Sequence, residues 1–231
     1  MISSVIRRRN GGFCQHDERR PARIDTMRLT LTMFLTLDGV LQAPGGPEED
    51  TRSGFTHGGW QFPFADDDDF ALLAEWFGRA DAFLLGRRTY EIFASYWPTV
   101  TDADEPFAGP LNALPKNVVS TTLPSADWHN STVINGELPD AINALKAQPG
   151  NELQVHGSGR LAQSLMANNL IDEYRLVTYP VVLGTGQKLF DPASPAALRL
   201  VDVVHHRGSQ AILATYQPHG EPQYGSFAES G

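Results

Sequence analysis

Short apolar runs alternate with amphipathic stretches along most of the chain. The run "RLTLTMFLTLDG" at 28–39 ends in Asp-Gly and predicts a strand that enters a turn. Residues 66–80 begin with four aspartates, which suit the positive end of a helix dipole, and then repeat apolar side chains at helical spacing. "AFLLG" at 82–86 predicts a buried strand, and "RRTYEIFASYW" at 87–97 predicts a helix that ends before Pro98.

The same alternation continues to the end of the chain. It predicts strands at 116–121, 131–134, 152–157 and 172–184, helices at 138–148 and 159–169, and a closing hairpin of strands 198–206 and 209–217 around Arg207-Gly208. Strands that alternate with helices favour a mainly parallel sheet with helices on both faces. The fold class predicted is therefore α/β, with a C-terminal antiparallel hairpin at one edge of the sheet.

The two ends of the chain differ from this pattern. Residues 1–26 contain six arginines and no apolar periodicity, so we expect a disordered N-terminal extension. The last residues, 221–231, are expected to be a disordered tail. The folded domain is predicted to span 27–220.

Composition narrows the classes of function. A net charge of −9 argues against non-specific binding to nucleic acid or to an anionic membrane, but not against an anionic cofactor, because a few local arginines suffice. No apolar run reaches the length of a membrane span. Cys14 is the single cysteine, which excludes an internal disulfide and favours a cytoplasmic location. No metal site is expected, since the chain has no zinc-deaminase signature.

One stretch, "VHGSGRLAQ", places a Gly-Ser-Gly turn between a predicted strand and a predicted helix. A catalytic role for Ser158 is disfavoured, because the hydrolase elbow needs glycines where the chain has His156 and Arg160. Glycines at 157 and 159 would let a backbone approach a pyrophosphate, with the helix N-terminus supplying free N–H groups. A plain tight turn explains the same residues and stays open as an alternative.

A second strand-to-helix turn, "LLGRRTYE", has the same character. Arg87, Arg88 and Thr89 follow Gly86 in the first helical turn, where arginine charges oppose the helix dipole. That placement is favourable if an anion lies between them, and a solvated pair of arginines is the alternative. A third strand end, "VVSTT", offers the hydroxyl groups of Ser120 and its neighbours. Because ligands bind beyond the carboxyl ends of strands in open α/β sheets, one anionic ligand would explain all three turns.

Taken in order, these motifs resemble the dihydrofolate-reductase-like superfamily. "FLTLDGVL", "LLGRRTYE", "VVSTTL", "HGSGRLAQSLM", "LIDEYRL" and "PVVLGTGQKLF" are most similar to the reductase domain of bacterial riboflavin biosynthesis, over residues 27–217. The resemblance implies a central, mainly parallel sheet of about eight strands and NADPH as cofactor. It implies that NADPH contacts Gly86, Arg87, Arg88, Thr89, Ser120, Thr121, Gly157, Ser158, Gly159, Arg160 and Leu161.

The function implied is NADPH-dependent hydride transfer to a small heterocyclic or ribosylaminouracil-type substrate, related to riboflavin biosynthesis. The alternative is a non-catalytic nucleotide- or flavin-binding module of the same fold. Asp38 and Asp69 are the candidate catalytic carboxylates, although Asp38 also suits a turn and Asp69 a helix cap. Where dihydrofolate reductases join two glycines by a cis peptide bond, this chain has Gly157-Ser158, so the geometry of that bond is left open.

The C-terminal hairpin bears on assembly. Its apolar side chains recur at Leu198, Leu200, Val203, Ile212 and Leu213. Edge strands of this kind are usually covered, and related reductase domains pair about a two-fold axis, so we expect a homodimer with the hairpin near the interface. The alternative is that these side chains face the protein's own helices.

Overall fold

A computed structural model describes residues 26–64, 66–101, 105–190 and 194–226. The predicted N-terminal extension lies outside the described residues, apart from Thr26, and so does the predicted tail from 227 onward. Everything below concerns the described ranges.

Eight strands in these ranges form one sheet. They are β1 (Arg28–Thr36), β2 (Ala80–Gly86), β3 (Lys116–Val119), β4 (Ser131–Ile134), β5 (Glu152–His156), β6 (Glu173–Tyr179), β7 (Leu198–Val204) and β8 (Ile212–Pro218). Their order across the sheet is β4-β3-β2-β5-β1-β6-β8-β7. All pairs from β4 to β6 are parallel, and β8 is antiparallel to both β6 and β7. The predicted mainly parallel sheet with an antiparallel closing hairpin is confirmed.

Helices cover both faces of the sheet. They are α1 (Asp67–Phe77), α2 (Arg87–Tyr96), α3 (Ala108–Ala113), α4 (Leu138–Lys146) and α5 (Gly159–Ala167). On one face α4 and α5 bury Ile142 and Leu165; on the other, α1, α2 and α3 bury Leu73, Tyr90 and Leu111. None of the described helices is long and apolar enough to cross a membrane.

Three details differ from the sequence-based expectations. The short helix α3 was not predicted, because its Gly109 and Pro110 are poor helix formers. Tertiary contacts hold it instead: Leu111 is fully buried, and the Lys116 ammonium donates to the carbonyls of Leu111 (2.7 Å) and Leu114 (2.8 Å). These bonds satisfy acceptors at the end of the helix that have no intrahelical partner.

The other two differences concern strand ends. Strand β6 ends at Tyr179 rather than at residue 184, because Pro180 cannot donate to the sheet. The predicted turn at Arg207-Gly208 is present, closed by the Ser209 N–H, which donates to the His206 carbonyl at 3.1 Å, but the strands end before it: seven residues, 205–211, connect β7 to β8. This connection reaches back to α1, where Ser209 and His206 both contact Asp69.

The three central strands, β5, β1 and β6, are apolar on one face and partly polar on the other. The residues that face α4 and α5 are apolar, such as Leu31 and Val155. The opposite face carries Glu152, Gln154 and His156 along β5, all buried. This is a row of polar side chains that runs along β5 toward its carboxyl end.

Arg175 of β6 pairs with Glu152, the first residue of this row. Its guanidinium is 1% exposed and donates to both carboxylate oxygens of Glu152, at 2.6 and 2.8 Å. It also donates to Glu173 at 2.8 Å, and lies over the ring of Trp76. A buried charge without its partners costs free energy of folding, so these contacts allow the polar face to be buried.

We expect Arg175→Met to lower the free energy of unfolding by about 3–5 kcal/mol, because Glu152 is left buried without its cation, whereas Glu173 keeps its ion pair with Arg28. The matched control is Arg79→Met, since Arg79 is 47% exposed and pairs with Glu75 one helical turn away. That pair should contribute less than about 1 kcal/mol. Urea unfolding of both variants measures the difference. Equal losses in the two variants would contradict the structural role given to Arg175.

Candidate functional site

A cleft of about 1300 Å³ opens beyond the carboxyl ends of β1, β2 and β5. Two parts of its wall differ in chemistry. The basic end consists of Gly86–Thr89, where α2 begins, and Gly157–Leu161, where α5 begins. The aromatic end consists of six rings from α1, α2 and the segment between α2 and α3: Phe70, Phe77, Phe93, Tyr96, Trp97 and Phe107.

At the basic end, two helix N-termini face the cleft without side-chain caps. Neither Gly86 before α2 nor Ser158 before α5 provides a side chain that bonds to the first turn of its helix. The first N–H groups of each helix therefore lack a side-chain acceptor from the cap. Uncapped helix N-termini, with their positive dipole ends, are suited to a phosphate or another anion.

The turn into α5 is strained and is tied to the turn into α2. Gly157 (φ +61°) and Ser158 (φ +63°) are both left-handed, and the described residues contain no cis peptide bond, so the Gly157-Ser158 bond is trans. For serine this conformation costs about 1–3 kcal/mol. The Ser158 Oγ accepts the N–H of Gly86 at 2.9 Å, which fixes the two turns against each other.

Protein packing explains why side chains are excluded at these glycines. A Cβ at Gly159 would lie 2.7 Å from the Gln187 amide and 2.9 Å from Leu41. Gly157 needs its left-handed backbone, which disfavours other residues. The expectation that NADPH accounts for both glycines is thus not required: the tight-turn alternative is sufficient.

The arginines of the basic end differ in how they are paired. Arg87 donates to Glu91 and to the hydroxyl of Thr122, each at 2.7 Å. Arg88 has only a distant contact, 3.8 Å, with Asp50. The Arg160 guanidinium is exposed and has no partner among the described residues. Two of the three predicted arginines are therefore available to an anion without breaking a short ion pair.

Ser120 and Thr121 are the two predicted cofactor residues that do not line the cleft. The Ser120 Oγ accepts the N–H groups of Thr122 (3.2 Å) and Leu123 (2.9 Å), so it shapes the turn after β3. The bond from Arg87 to Thr122 still places this turn beside the basic end. Their predicted contact with NADPH stays a prediction.

His156 lies at the floor of the cleft, where β5 ends. Its ring stacks on Phe77 with centroids 3.9 Å apart, and burial together with the Arg175 charge lowers the pKa of His156 to about 3. The Gln154 amide nitrogen donates to Trp76 (2.6 Å) and Glu152 (2.7 Å), so its oxygen must face His156 Nε2 at 2.9 Å. His156 is then neutral with the proton on Nε2, and its Nδ1 is an acceptor.

Asp38 does not face the cleft. Its carboxylate accepts the Thr36 hydroxyl at 2.6 Å, the Gly184 N–H at 2.8 Å and the Leu183 N–H at 3.2 Å. These hydrogen bonds, with that of Thr36 the strongest, lower the pKa of Asp38 to about 2. The carboxylate is therefore ionised at neutral pH and connects the turn after β1 to the loop after β6.

The Asp69 carboxylate of α1 also has hydrogen-bond partners outside the cleft. It is 3% exposed, accepts His206 Nδ1 at 2.8 Å and the Ser209 hydroxyl, and does not line the cleft. Asp66 lies close enough that Asp66, Asp69 and His206 could be metal ligands by distance, but hydrogen bonds to Asp69 already explain the cluster. A role for Asp38 or Asp69 in protonating a substrate stays untested.

The aromatic end was not predicted from the sequence as a part of the site. The rings of α1 and α2 were read as ordinary helix periodicity, although both "FALLAEWF" and "YEIFASYW" have more rings than one buried stripe needs. Gln42 was not predicted either. Its amide oxygen accepts the backbone N–H of Gln187 at 3.0 Å, and its amide nitrogen donates to the Asp50 carbonyl. Gln42 thereby connects the chain at Asp50 to the chain at Gln187 beside the cleft, and no local sequence pattern predicts this role.

The sheet order, the closing hairpin and the cleft at the strand ends define a dihydrofolate-reductase-like α/β protein. The profile of the RibD C-terminal domain matches residues 27–213, and the chain therefore belongs to the RibD C-terminal domain family. This family is reductase-like, which supports the assignment of the chain to the oxidoreductases.

Among curated proteins, the chain is similar to the uncharacterized protein YyaP of Bacillus subtilis (strain 168), with 27% identity over 71% of this chain and 80% of that protein. Among solved structures, it is similar to a protein assigned to riboflavin biosynthesis from Shewanella sp. PV-4 (TM-score 0.62, 24% identity, 84% of this chain and 99% of that one). A pyrimidine reductase-like protein from Corynebacterium diphtheriae gives a TM-score of 0.56 at 14% identity, covering 86% of this chain and 94% of that one. At these identities the solved structures establish the fold.

We expect Asp38→Asn to lower the free energy of unfolding at pH 7 by about 1–2 kcal/mol, because an amide cannot replace a carboxylate that accepts three hydrogen bonds. Since folding lowers the pKa of Asp38 from 3.8 to about 2, its stabilisation is present above pH 4 and lost as the pH falls toward 2. The gap between the two proteins should therefore close over that range in urea unfolding.

The control is Asp140→Asn, since Asp140 is exposed in the first turn of α4 and should contribute only about 0.5 kcal/mol. A variant Asp38→Asn with wild-type stability but no reductase activity would instead favour a catalytic role for this carboxylate.

Proposed function

We propose that the protein is an NADPH-dependent reductase that transfers a hydride to a small heterocyclic substrate. The observation that carries the proposal is the basic end of the cleft: two uncapped helix N-termini, tied together by Ser158, with Arg88 and Arg160 free to meet an anion. In a reductase-like family, a dinucleotide is the anionic ligand that such an end fits. A ribosylaminouracil of riboflavin biosynthesis is the substrate type that the family suggests.

The residues present fit NADPH in the following way. The N–H groups at the starts of α2 and α5 would hold the pyrophosphate, with Arg88 beside them. Arg87 and Arg160 would meet the 2′-phosphate, and charge-assisted bonds of this kind favour NADPH over NADH. When bound, the cofactor supplies the hydride, and the chain supplies position and electrostatics.

The chain's own contribution near the reacting groups is the cleft floor. Neutral His156 presents Nδ1 as an acceptor, and Thr32 lines the cleft with a buried hydroxyl that has no hydrogen-bond partner in the described residues. Both can orient an amide or ring N–H of a bound ligand. Because His156 has a pKa near 3, it does not supply the proton that must follow the hydride at neutral pH. We infer that this proton comes from water that enters the open cleft.

One assay distinguishes the reductase from the alternative, a non-catalytic nucleotide- or flavin-binding module. Steady NADPH oxidation that depends on an added heterocycle supports the reductase, whereas binding without turnover supports the module. A cytoplasmic location rests on the single Cys14 and stays a prediction.

We expect NADPH to bind more tightly than NADH, and Arg87→Ala to weaken NADPH by about 1.5–3 kcal/mol with little effect on NADH, because only NADPH carries the 2′-phosphate. Cofactor fluorescence titration measures all four affinities. Arg79→Ala is the matched control, because Arg79 is similarly exposed (47%, against 46% for Arg87) and lies outside the cleft. Equal affinity of the wild-type protein for NADH and NADPH would remove the basis of the proposal.

We also propose a homodimer that pairs through the C-terminal hairpin. The register places Leu200 beside Tyr216 and Val203 beside Ala214, so Leu200, Val203 and Ile212 point to the same face of the sheet. All three are about half exposed, at 53%, 53% and 48%. An apolar strip on an edge strand is costly in water and also invites uncontrolled pairing, which a two-fold partner would prevent.

Light scattering at micromolar concentration should give a mass near twice the chain mass of 25.3 kDa. Val203→Asp should give the mass of one chain, because a carboxylate would be buried in the apolar strip. Leu37→Asp is the control: Leu37 is 62% exposed but lies in the turn after β1, and this variant should stay dimeric. A wild-type mass of one chain contradicts the dimer.

A further inference from the structure

The aromatic end of the cleft is one continuous surface of rings. Phe107 is at its centre, 4.8 Å from Phe77, 6.4 Å from Phe70 and 6.5 Å from Trp97, measured between ring centroids. Trp97 continues the surface to Tyr96 at 5.1 Å. Two of these rings stay open to the cleft, since Phe70 is 36% exposed and Tyr96 49% exposed. Exposed rings in a concave wall are suited to stack on a flat ligand.

The walls of this end carry no positive charge. The sequence contains no lysine, arginine or histidine in 61–78 or in 89–115, the two stretches that supply the six rings. The second stretch contains four acidic residues, Glu91, Asp102, Asp104 and Glu105. Of these, Glu105 lines the cleft and accepts the Tyr96 hydroxyl at 3.1 Å. A phosphate or carboxylate placed here would lose its hydration without gaining a cation.

The arginine at the start of α2 and the lysine that follows the second stretch both lie away from the rings. Helix α2 separates Arg87 at its start from Tyr96 at its end by about 14 Å, at 1.5 Å per residue. The cation that follows 89–115 is Lys116, and its ammonium is turned away, donating to carbonyls of α3 and lying over the Trp128 ring. The two stretches that supply the rings therefore bring no cation of their own to the aromatic end.

Resting on the proposed reductase function, we propose that the substrate at the aromatic end is an uncharged planar heterocycle with neither a phosphate nor a carboxylate. Ring stacking supplies the attraction, and the Glu105 carboxylate disfavours anionic analogues. The phosphorylated ribosylaminouracil that the family suggests would then be a poor substrate.

The test uses matched pairs of probes that share a ring and differ in charge: riboflavin with FMN, and pterin with pterin-6-carboxylate. Each probe is titrated into protein saturated with NADP⁺, so that the basic end is already filled, and binding is followed by quenching of probe fluorescence. The uncharged member of each pair should bind at least tenfold more tightly. Glu105→Lys should reduce this preference at least fivefold, whereas Glu75→Lys, the same charge change on the exposed outer side of α1, should leave it unchanged.

The proposal is overturned if FMN or pterin-6-carboxylate binds as tightly as its uncharged partner, or if neither uncharged probe binds. An equal effect of Glu105→Lys and Glu75→Lys would also overturn it, because the preference would then follow net charge alone. Failure of the proposed function is seen separately, as the absence of NADPH binding in a titration without any second ligand.

Discussion

The hydrogen bond from the Gly86 N–H to the Ser158 Oγ is the contact on which the cleft depends. It joins the turn from β2 into α2 to the turn from β5 into α5, although 72 residues separate the two along the chain. Ser158 accepts that N–H from the strained left-handed conformation that follows Gly157. The cost of this conformation, about 1–3 kcal/mol, is offset by a hydrogen bond that also places two helix N-termini side by side. An anion that spans both then needs no rearrangement of the backbone.

Strand β5 connects this turn to the buried charges of the sheet. Arg175 fixes Glu152, Glu152 and the Trp76 carbonyl fix the amide of Gln154, and Gln154 fixes the tautomer of His156. Glu152, Gln154 and His156 each have a hydrogen-bond partner within the protein, so the polar face can stay buried. The exception is Thr32 of β1, whose buried hydroxyl is unpaired at the cleft floor. An unpaired donor beside a bare acceptor, His156 Nδ1, is an arrangement that a polar ligand can complete.

The sequence predicted the elements whose periodicity is local and missed those that tertiary contacts create. Alternating apolar runs were sufficient for the strands and for four of the five helices. Helix α3 could not be predicted, because its stability depends on Lys116 and on burial of Leu111. The partners of Asp38 and Asp69 were equally hidden. By sequence both are candidate catalytic carboxylates, with a turn and a helix cap as the alternatives, but Asp38 accepts N–H groups from residues 183 and 184, and Asp69 accepts from the loop at 205–211. Such partners cannot be inferred from spacing along the chain.

Helix α2 explains why the two ends of the cleft differ. Its sequence, "RRTYEIFASY", begins with two arginines and finishes with aromatic residues, and its ten residues span about 15 Å. Arginines at a helix N-terminus are unfavourable in isolation, because they add positive charge to the positive end of the dipole. The same charges become favourable when an anion lies against that end, and the distance along the helix keeps them from the aromatic rings. One helix thus places an anion-binding end and an uncharged end in the same cleft. The length of α2 sets the distance between the phosphates of a bound cofactor and the planar ring of a bound substrate.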